Sequence, residues 1–262
     1  MPLHKARAAI AAGVPKLSKK AFAFVIAAVP VLNALPAQGF SDLPGAPQKG
    51  YVFVAGLMSG AKNYAPYLAA TNASAEQIVF LQFDQSPFSA NHVRDYAKMK
   101  ESYEQLEAHS PGGIVLFGFS AGSKFAFRLA EDHASSARAL FLLDPVDGGP
   151  PLFSNKTIFP DFIDDNSREL EIPTVFLETE FGPKPAMLGL SCVPAKKGPQ
   201  HFAPHINPAL LKRVFLAGAG HPDFLYPPVN PLTAIGCGKS QVNSETVRAQ
   251  TLAAWKGFLG LL

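Results

Sequence analysis

Residues Gly113 to His133 read G-I-V-L-F-G-F-S-A-G-S-K-F-A-F-R-L-A-E-D-H. The run Gly113–Gly118 is short, apolar and rich in β-formers, whereas Ala121–His133 spaces its apolar side chains as an amphipathic helix does. The chain therefore has to pass from strand to helix across Gly118-Phe119-Ser120-Ala121-Gly122, a sharp turn of the G-x-S-x-G type. Such a turn holds the serine in a strained backbone conformation with its hydroxyl pushed out. A side chain at position 118 or 122 would collide with the neighbouring strand or helix. An adduct formed on Ser120 would lie against the backbone N–H of Ala121, at a helix start whose dipole favours negative charge.

A strand that feeds a helix in this way predicts more of the same on either side. Short continuous apolar runs recur at Tyr51–Ala55, Ile78–Phe83, Ala139–Leu143, Thr174–Leu177 and Val214–Ala217, as expected of strands buried on both faces. Between them, Asn91 is placed to cap a helix over Val93–His109, with Val93, Tyr96, Tyr103 and Leu106 at helical spacing. Asn243 or Ser244 is placed to open a last helix carrying Val247, Trp255, Phe258, Leu259 and Leu262 towards the core. The alternation implies an α/β fold: a mostly parallel central sheet with helices on both faces. Two stretches break it, Gly148–Ile172 and Gly182–Pro208, rich in proline and following strand ends on the edge where open α/β sheets place their sites.

The 262 residues and a hydrophobic fraction of 48% suffice for one large core. The net charge of +3 is gathered at the front, where Lys5, Arg7, Lys16, Lys19 and Lys20 precede the first acid, Asp42. What remains is close to neutral and carries no electrostatic footprint for nucleic acid. Residues 1–37 are basic and alanine-rich, then apolar and broken by Pro30 and Pro36. They read as a targeting segment ahead of a catalytic domain over 38–262. A plastid transit peptide and a secretory signal both fit, and a buried first helix or membrane anchor is the structural alternative.

A serine on such a turn needs a histidine and an acid. His221 follows a strand and a glycine-loosened loop, Arg213-Val-Phe-Leu-Ala-Gly-Ala-Gly220, at the active edge, the place of the base in folds of this kind. His92, His109 and His133 fall on or beside helices, where a solvated role is expected. His201 and His205 lack partners of metal-ligand pattern, so no metal is expected. Asp144 ends the strand after the elbow helix, Glu178 and Glu180 end the next, and Asp147 lies beyond Pro145 in a turn. A rigid strand-end carboxylate favours Asp144. The loop Val54-Ala-Gly-Leu-Met-Ser-Gly60 supplies a second oxyanion donor, the N–H of Leu57, because Gly56 lets the backbone turn.

Several stretches together resemble the chlorophyllases, which are α/β-hydrolases: the elbow itself, Leu142-Leu-Asp-Pro-Val-Asp-Gly148, Thr179-Glu-Phe-Gly-Pro-Lys184 with Met187-Leu188, Cys192-Val-Pro-Ala195, and Ala219-Gly-His-Pro-Asp223. The resemblance implies Ser120 as nucleophile, Asp144 as acid and His221 as base, acting without a cofactor on the phytyl ester of chlorophyll to give chlorophyllide and phytol. It also implies a chloroplast location, with secretion as the alternative, and an amphipathic pigment ester as the small-molecule partner, with peripheral membrane contact. Phe119, Ala121 and Ser123 stand where land-plant members usually have histidine, arginine and glycine, and Ala55 stands for a histidine; a divergent or algal-type member fits best. Met58, Phe119, Phe153, Phe159, Phe162, Met187 and Leu188 are the candidate pocket residues. A general carboxylesterase or lipase on the same fold, and a non-catalytic pigment- or lipid-binding protein, are the other readings. The two cysteines, Cys192 and Cys237, fit either a disulfide or a pair of free thiols.

Overall fold

A computed structural model of the protein describes residues 47–84, 91–148, 160–185, 191–229, 237 and 240–262. Its strands are β1 (Gly50–Val54), β2 (Ile78–Leu81), β3 (Ile114–Phe119), β4 (Ala137–Leu143), β5 (Thr174–Thr179) and β6 (Leu211–Leu216). They form one all-parallel sheet in the order β2-β1-β3-β4-β5-β6. Each expected apolar run is a strand. β3 is buried at every position, as the middle of a sheet covered on both faces requires. β2 and β6 are the edges and only half-buried, and Phe215 on β6 is exposed. β6 also begins three residues before the apolar run, at Leu211, because an edge strand tolerates Lys212 and Arg213 facing water.

The helices are α1 (Ala65–Ala69), α2 (His92–Glu107), α3 (Gly122–Asp132), α4 (Pro199–Phe202) and α5 (Ser244–Leu259). Parallel strands need crossovers, and these cover the sheet from both sides. On one face, Val52, Leu116, Leu140 and Phe176 pack with Met99, Tyr103 and Leu106 of α2, Phe125 and Leu129 of α3, and Phe202 of α4. On the other, Phe53, Phe117, Phe141 and Leu177 pack with Tyr67 of α1 and Val247, Trp255 and Phe258 of α5. Trp255 takes an edge-on position against Phe53 and Phe117, and its indole N–H donates to the Tyr67 carbonyl at 2.9 Å, so the ring is buried without an orphaned donor.

Both expected caps form. Asn91 Oδ1 accepts from the Arg94 N–H at 3.0 Å, and Asn243 Oδ1 from the Glu245 N–H at 2.8 Å. Two helix-face assignments change. Val93 is exposed, since the first turn of α2 presents His92 inward instead. His92 is buried between the rings of Phe83 and Phe125; desolvation, with Lys124 nearby, pulls its pKa down to about 3, so it is a neutral core residue and not a solvated one.

Candidate active site

Ser120 follows the last residue of β3 and has φ of 53°, in the left-handed region that a non-glycine residue adopts only under constraint. The constraint is visible on each side. The Ser120 N–H donates to the Leu143 carbonyl at 2.9 Å, and its carbonyl accepts from the N–H groups of Ser123 at 2.9 Å and Val146 at 3.1 Å. A Cβ on Gly118 would stand 2.8 Å from Ser123 Cα, and one on Gly122 would stand 2.4 Å from the Val54 carbonyl oxygen. The two glycines thus allow α3 to lie against its own strand and against the end of β1 at once.

That second approach bears on the two N–H groups expected to hold an oxyanion, those of Ala121 and Leu57. The start of α3, with Ala121, is pressed onto the backbone where β1 runs into the loop carrying Leu57. The loop is braced from below: the Gly56 N–H donates to the Tyr64 hydroxyl at 3.0 Å, Ser59 Oγ donates to the Gly56 carbonyl at 2.8 Å, and Ser59 and Tyr64 hydroxyls bond at 2.8 Å. Gly56 itself has no room for a side chain, since a Cβ would meet Phe119 Cδ1 at 2.5 Å. Met58, the next candidate, has φ of 59° and is half-buried.

Asp144 immediately follows β4, which pairs directly with β3 and sets Phe119 opposite Leu143. Its φ of 40° is again left-handed. The residue is 1% exposed and His221 is 3% exposed, and Asp144 Oδ2 accepts from His221 Nδ1 at 2.9 Å. The carboxylate is acceptor-only, so this bond puts the proton on Nδ1 and leaves Nε2 with its lone pair. Phe119 stacks on the imidazole with ring centroids 4.7 Å apart, which sets His221 beside the strand end that carries Ser120. The histidine turn is held in its own right: Asp223 Oδ2 accepts from the Gly220 N–H at 2.7 Å, Asp223 Oδ1 from Ser244 Oγ at 2.6 Å, and the Phe224 carbonyl from the Tyr67 hydroxyl at 2.7 Å.

The other acids are engaged elsewhere. Glu178 forms a two-pronged pair with Arg213, and Glu180 accepts from Lys184 Nζ at 2.6 Å and from the Gly218 N–H at 2.9 Å. Asp147 is fully buried, accepts the N–H groups of Phe162 and Ile163 and pairs with His201 at 3.1 Å. His205 Nδ1 donates to the Ser167 carbonyl at 3.2 Å. Two pocket expectations change as well. Phe119 backs the histidine from the core, because strand alternation sends its ring to the α1–α5 side with Phe117. Phe162 packs on Tyr96 and Phe125, with Lys124 Nζ 5.1 Å from its ring, as part of the cover over α2 and α3. Phe153, Phe159, Met187 and Leu188 lie outside the described residues.

Three supporting residues escaped the sequence reading. Thr179 opens one of the stretches quoted above, but between Glu178 and Glu180 nothing local marks its role, and the same holds for Tyr64 after Lys62 and Asn63. Asp223 had a signal, since it lies two residues after the histidine in a glycine-proline turn. Cys192 and Cys237 are joined as a disulfide, with Cα atoms 5.1 Å apart, which settles the alternative left open above.

The architecture has solved counterparts. A structure reported with the metagenome-derived lipolytic enzymes LipS and LipT superposes with a TM-score of 0.53 at 9% identity, over 80% of this chain and 97% of the other. DphMB1 gives a TM-score of 0.52 at 16% identity, over 82% and 79%. No family model matches the sequence and no curated protein aligns with it. The strand order, the elbow after β3 and these likenesses define the α/β-hydrolase fold.

Proposed function

We propose that this protein is a serine hydrolase of carboxylic esters, with Ser120 as nucleophile, His221 as general base and Asp144 as the acid that orients it. The observation that carries the reading is the buried Asp144–His221 hydrogen bond beside the strained serine elbow. In the proposed cycle, Nε2 of His221 takes the Ser120 proton as the hydroxyl attacks the ester carbonyl. The N–H groups of Ala121 and Leu57 hold the oxyanion, and His221 returns the proton to the departing alcohol. Water, activated by the same histidine, then releases the acid. Asp144 stays ionised throughout and steadies the imidazolium.

Within that class we infer a pigment ester, the phytyl ester of chlorophyll, as the substrate. The support is the run of stretches that resemble chlorophyllases, which brings Asp144, Thr179, Gly182 and His221 to one place in the fold. Two assays separate the levels of the proposal. Hydrolysis of p-nitrophenyl butyrate, abolished in Ser120→Ala, tests the ester chemistry and sets it apart from a non-catalytic binding protein. Conversion of detergent-solubilised chlorophyll a to chlorophyllide tests the substrate; activity on the small ester alone would leave a general carboxylesterase.

A further inference from the structure

The Asp144 carboxylate is gripped by one residue at both oxygens. The Thr179 backbone N–H donates to Oδ1 at 2.7 Å, and the Thr179 hydroxyl donates to Oδ2 at 2.5 Å, the same oxygen that takes the His221 proton. The hydroxyl has no freedom to turn elsewhere, because its oxygen accepts the Gly182 N–H at 3.1 Å and its one proton is left for Asp144. Gly182 is fitted to this pair: a Cβ there would stand 2.7 Å from Thr179 Oγ1 and 2.9 Å from Asp144 Oδ2. The turn is also tied to its neighbours. The Phe181 N–H donates to the carbonyl of Ala219, two residues before the histidine, and the Gly182 carbonyl accepts from Val193 N–H and Ser191 Oγ beside the disulfide.

We propose that Thr179 is a positioning residue for catalysis, whose hydroxyl fixes the rotation of the Asp144 carboxylate and tempers the charge it presents to His221. The inference rests on the reading of Ser120, Asp144 and His221 as the catalytic set. Thr179 ends β5, the strand end next to the one that carries the acid, so the acid from one strand is clamped by a hydroxyl from the next. Its physical effect has two parts. A donor on Oδ2 spreads the negative charge, so that the carboxylate stabilises an imidazolium less than it would with His221 as sole donor. The same donor, with the N–H on Oδ1, holds the carboxylate plane where Oδ2 meets Nδ1, and a mis-set plane costs turnover.

The test is Thr179→Val, which keeps the branched shape at the strand end and removes the hydroxyl, beside Thr179→Ser, which keeps the hydroxyl. With p-nitrophenyl butyrate as probe, the valine variant should lose about tenfold in kcat. The acidic limb of its kcat/KM profile should move up by roughly 0.5–1 pH unit; the serine variant should match the native protein in both. The ionisable groups around His221 among the described residues are Asp144 just after β4, Asp223 in its own turn, Glu180 with Lys184 beyond β5, and Tyr64 behind Phe119; all are unchanged in these variants, so the limb reports the hydroxyl. If the valine variant does not fold, Thr179→Cys, with its weak S–H donor, should move the limb in the same direction by less. An unmoved limb in a folded variant, whatever its turnover, overturns the proposal and leaves Thr179 a structural residue. Hydrolysis that persists in Ser120→Ala or Asp144→Asn would instead overturn the catalytic set on which it rests.

Discussion

A single methyl group at Gly122 should move apart the two N–H groups proposed to hold the oxyanion. The Cβ of Gly122→Ala would lie 2.4 Å from the Val54 carbonyl oxygen, 2.5 Å from that of Ala55 and 2.8 Å from the Ala55 carbonyl carbon. All three are backbone atoms of β1 and the loop that follows, so no side chain can swing aside. Restoring van der Waals separation needs about 1 Å of displacement between the start of α3 and the end of β1. Ala121 rides on the first of these and Leu57 on the second, so the two N–H donors must move apart by a comparable amount. A misplacement of ~1 Å at such a site lowers turnover by about 10²-fold, equivalent to ~2.7 kcal/mol of lost transition-state stabilisation. Overpacking should cost ~1–3 kcal/mol of stability, and the helix preference for alanine returns at most ~1 kcal/mol of that. Initial rates with p-nitrophenyl butyrate and urea unfolding of the same preparation measure both effects. Gly260→Ala is the control, since its Cβ would approach nothing closer than 3.5 Å. Native-like kcat in a folded Gly122→Ala protein would refute the argument that this contact sets the oxyanion geometry.

The remaining predictions concern charge and covalent structure. Asp144→Asn should stay folded and lose about 10³–10⁴-fold in turnover, while Glu178→Gln and Glu180→Gln remain near the native rate; the reverse pattern would reassign the acid. Lys124 is buried, donates to the carbonyls of Gly148 and Pro160, and has its pKa pushed by desolvation from 10.5 to about 8, below its unfolded value. The unfolded chain therefore binds more protons above pH 8, and Lys124 adds stability as pH rises from 8 to 10, with a slope of up to ~1.4 kcal/mol per pH unit. Above that window the buried hydroxyls of Tyr64 and Tyr67, whose pKa values burial raises, oppose it. Lys124→Met should flatten the rise in urea-unfolding measurements; an equal slope in both proteins would remove Lys124 as its source. Reducing the Cys192–Cys237 bond, which spans 45 residues, should lower stability by up to about 4 kcal/mol, read as a lower urea midpoint with reductant than without.

Much of this arrangement was legible before any coordinates. Six apolar runs mark the six strands; the four inner ones announce themselves locally because a strand covered on both faces must be apolar throughout, and the edge strands β2 and β6, only half-buried, carry apolar runs as well. The elbow was legible for the same kind of reason: glycine at 118 and 122 brackets a serine at the one place where strand and helix cross most closely. Where the reading slipped, neighbours remote in sequence decided. Val93 and His92 share a helical turn, and only the contact with Phe83 and Phe125 shows which of them faces inward. Strand alternation turns Phe119 into the core on the α1–α5 side and under His221.

The candidate acid shows where local pattern ends. Residue type puts Asp144, Asp147, Glu178 and Glu180 in contention from the sequence alone, and strand-end position and the resemblance both select Asp144 among them. The fold distinguishes them physically: Arg213 holds Glu178, Lys184 holds Glu180, two backbone amides and His201 hold Asp147, and Asp144 alone meets His221. The clamp by Thr179 is further still from sequence, because a threonine at the end of an apolar strand looks like any β-branched residue. Sequence by itself determined the alternation of strand and helix, the serine at the elbow and the order of the site residues along the chain, since these follow from periodicity and backbone sterics within a few residues. Tertiary structure decided which carboxylate meets the histidine, what braces it and that the two cysteines join, since contacts between residues 35 to 77 apart depend on how the strands are laid side by side.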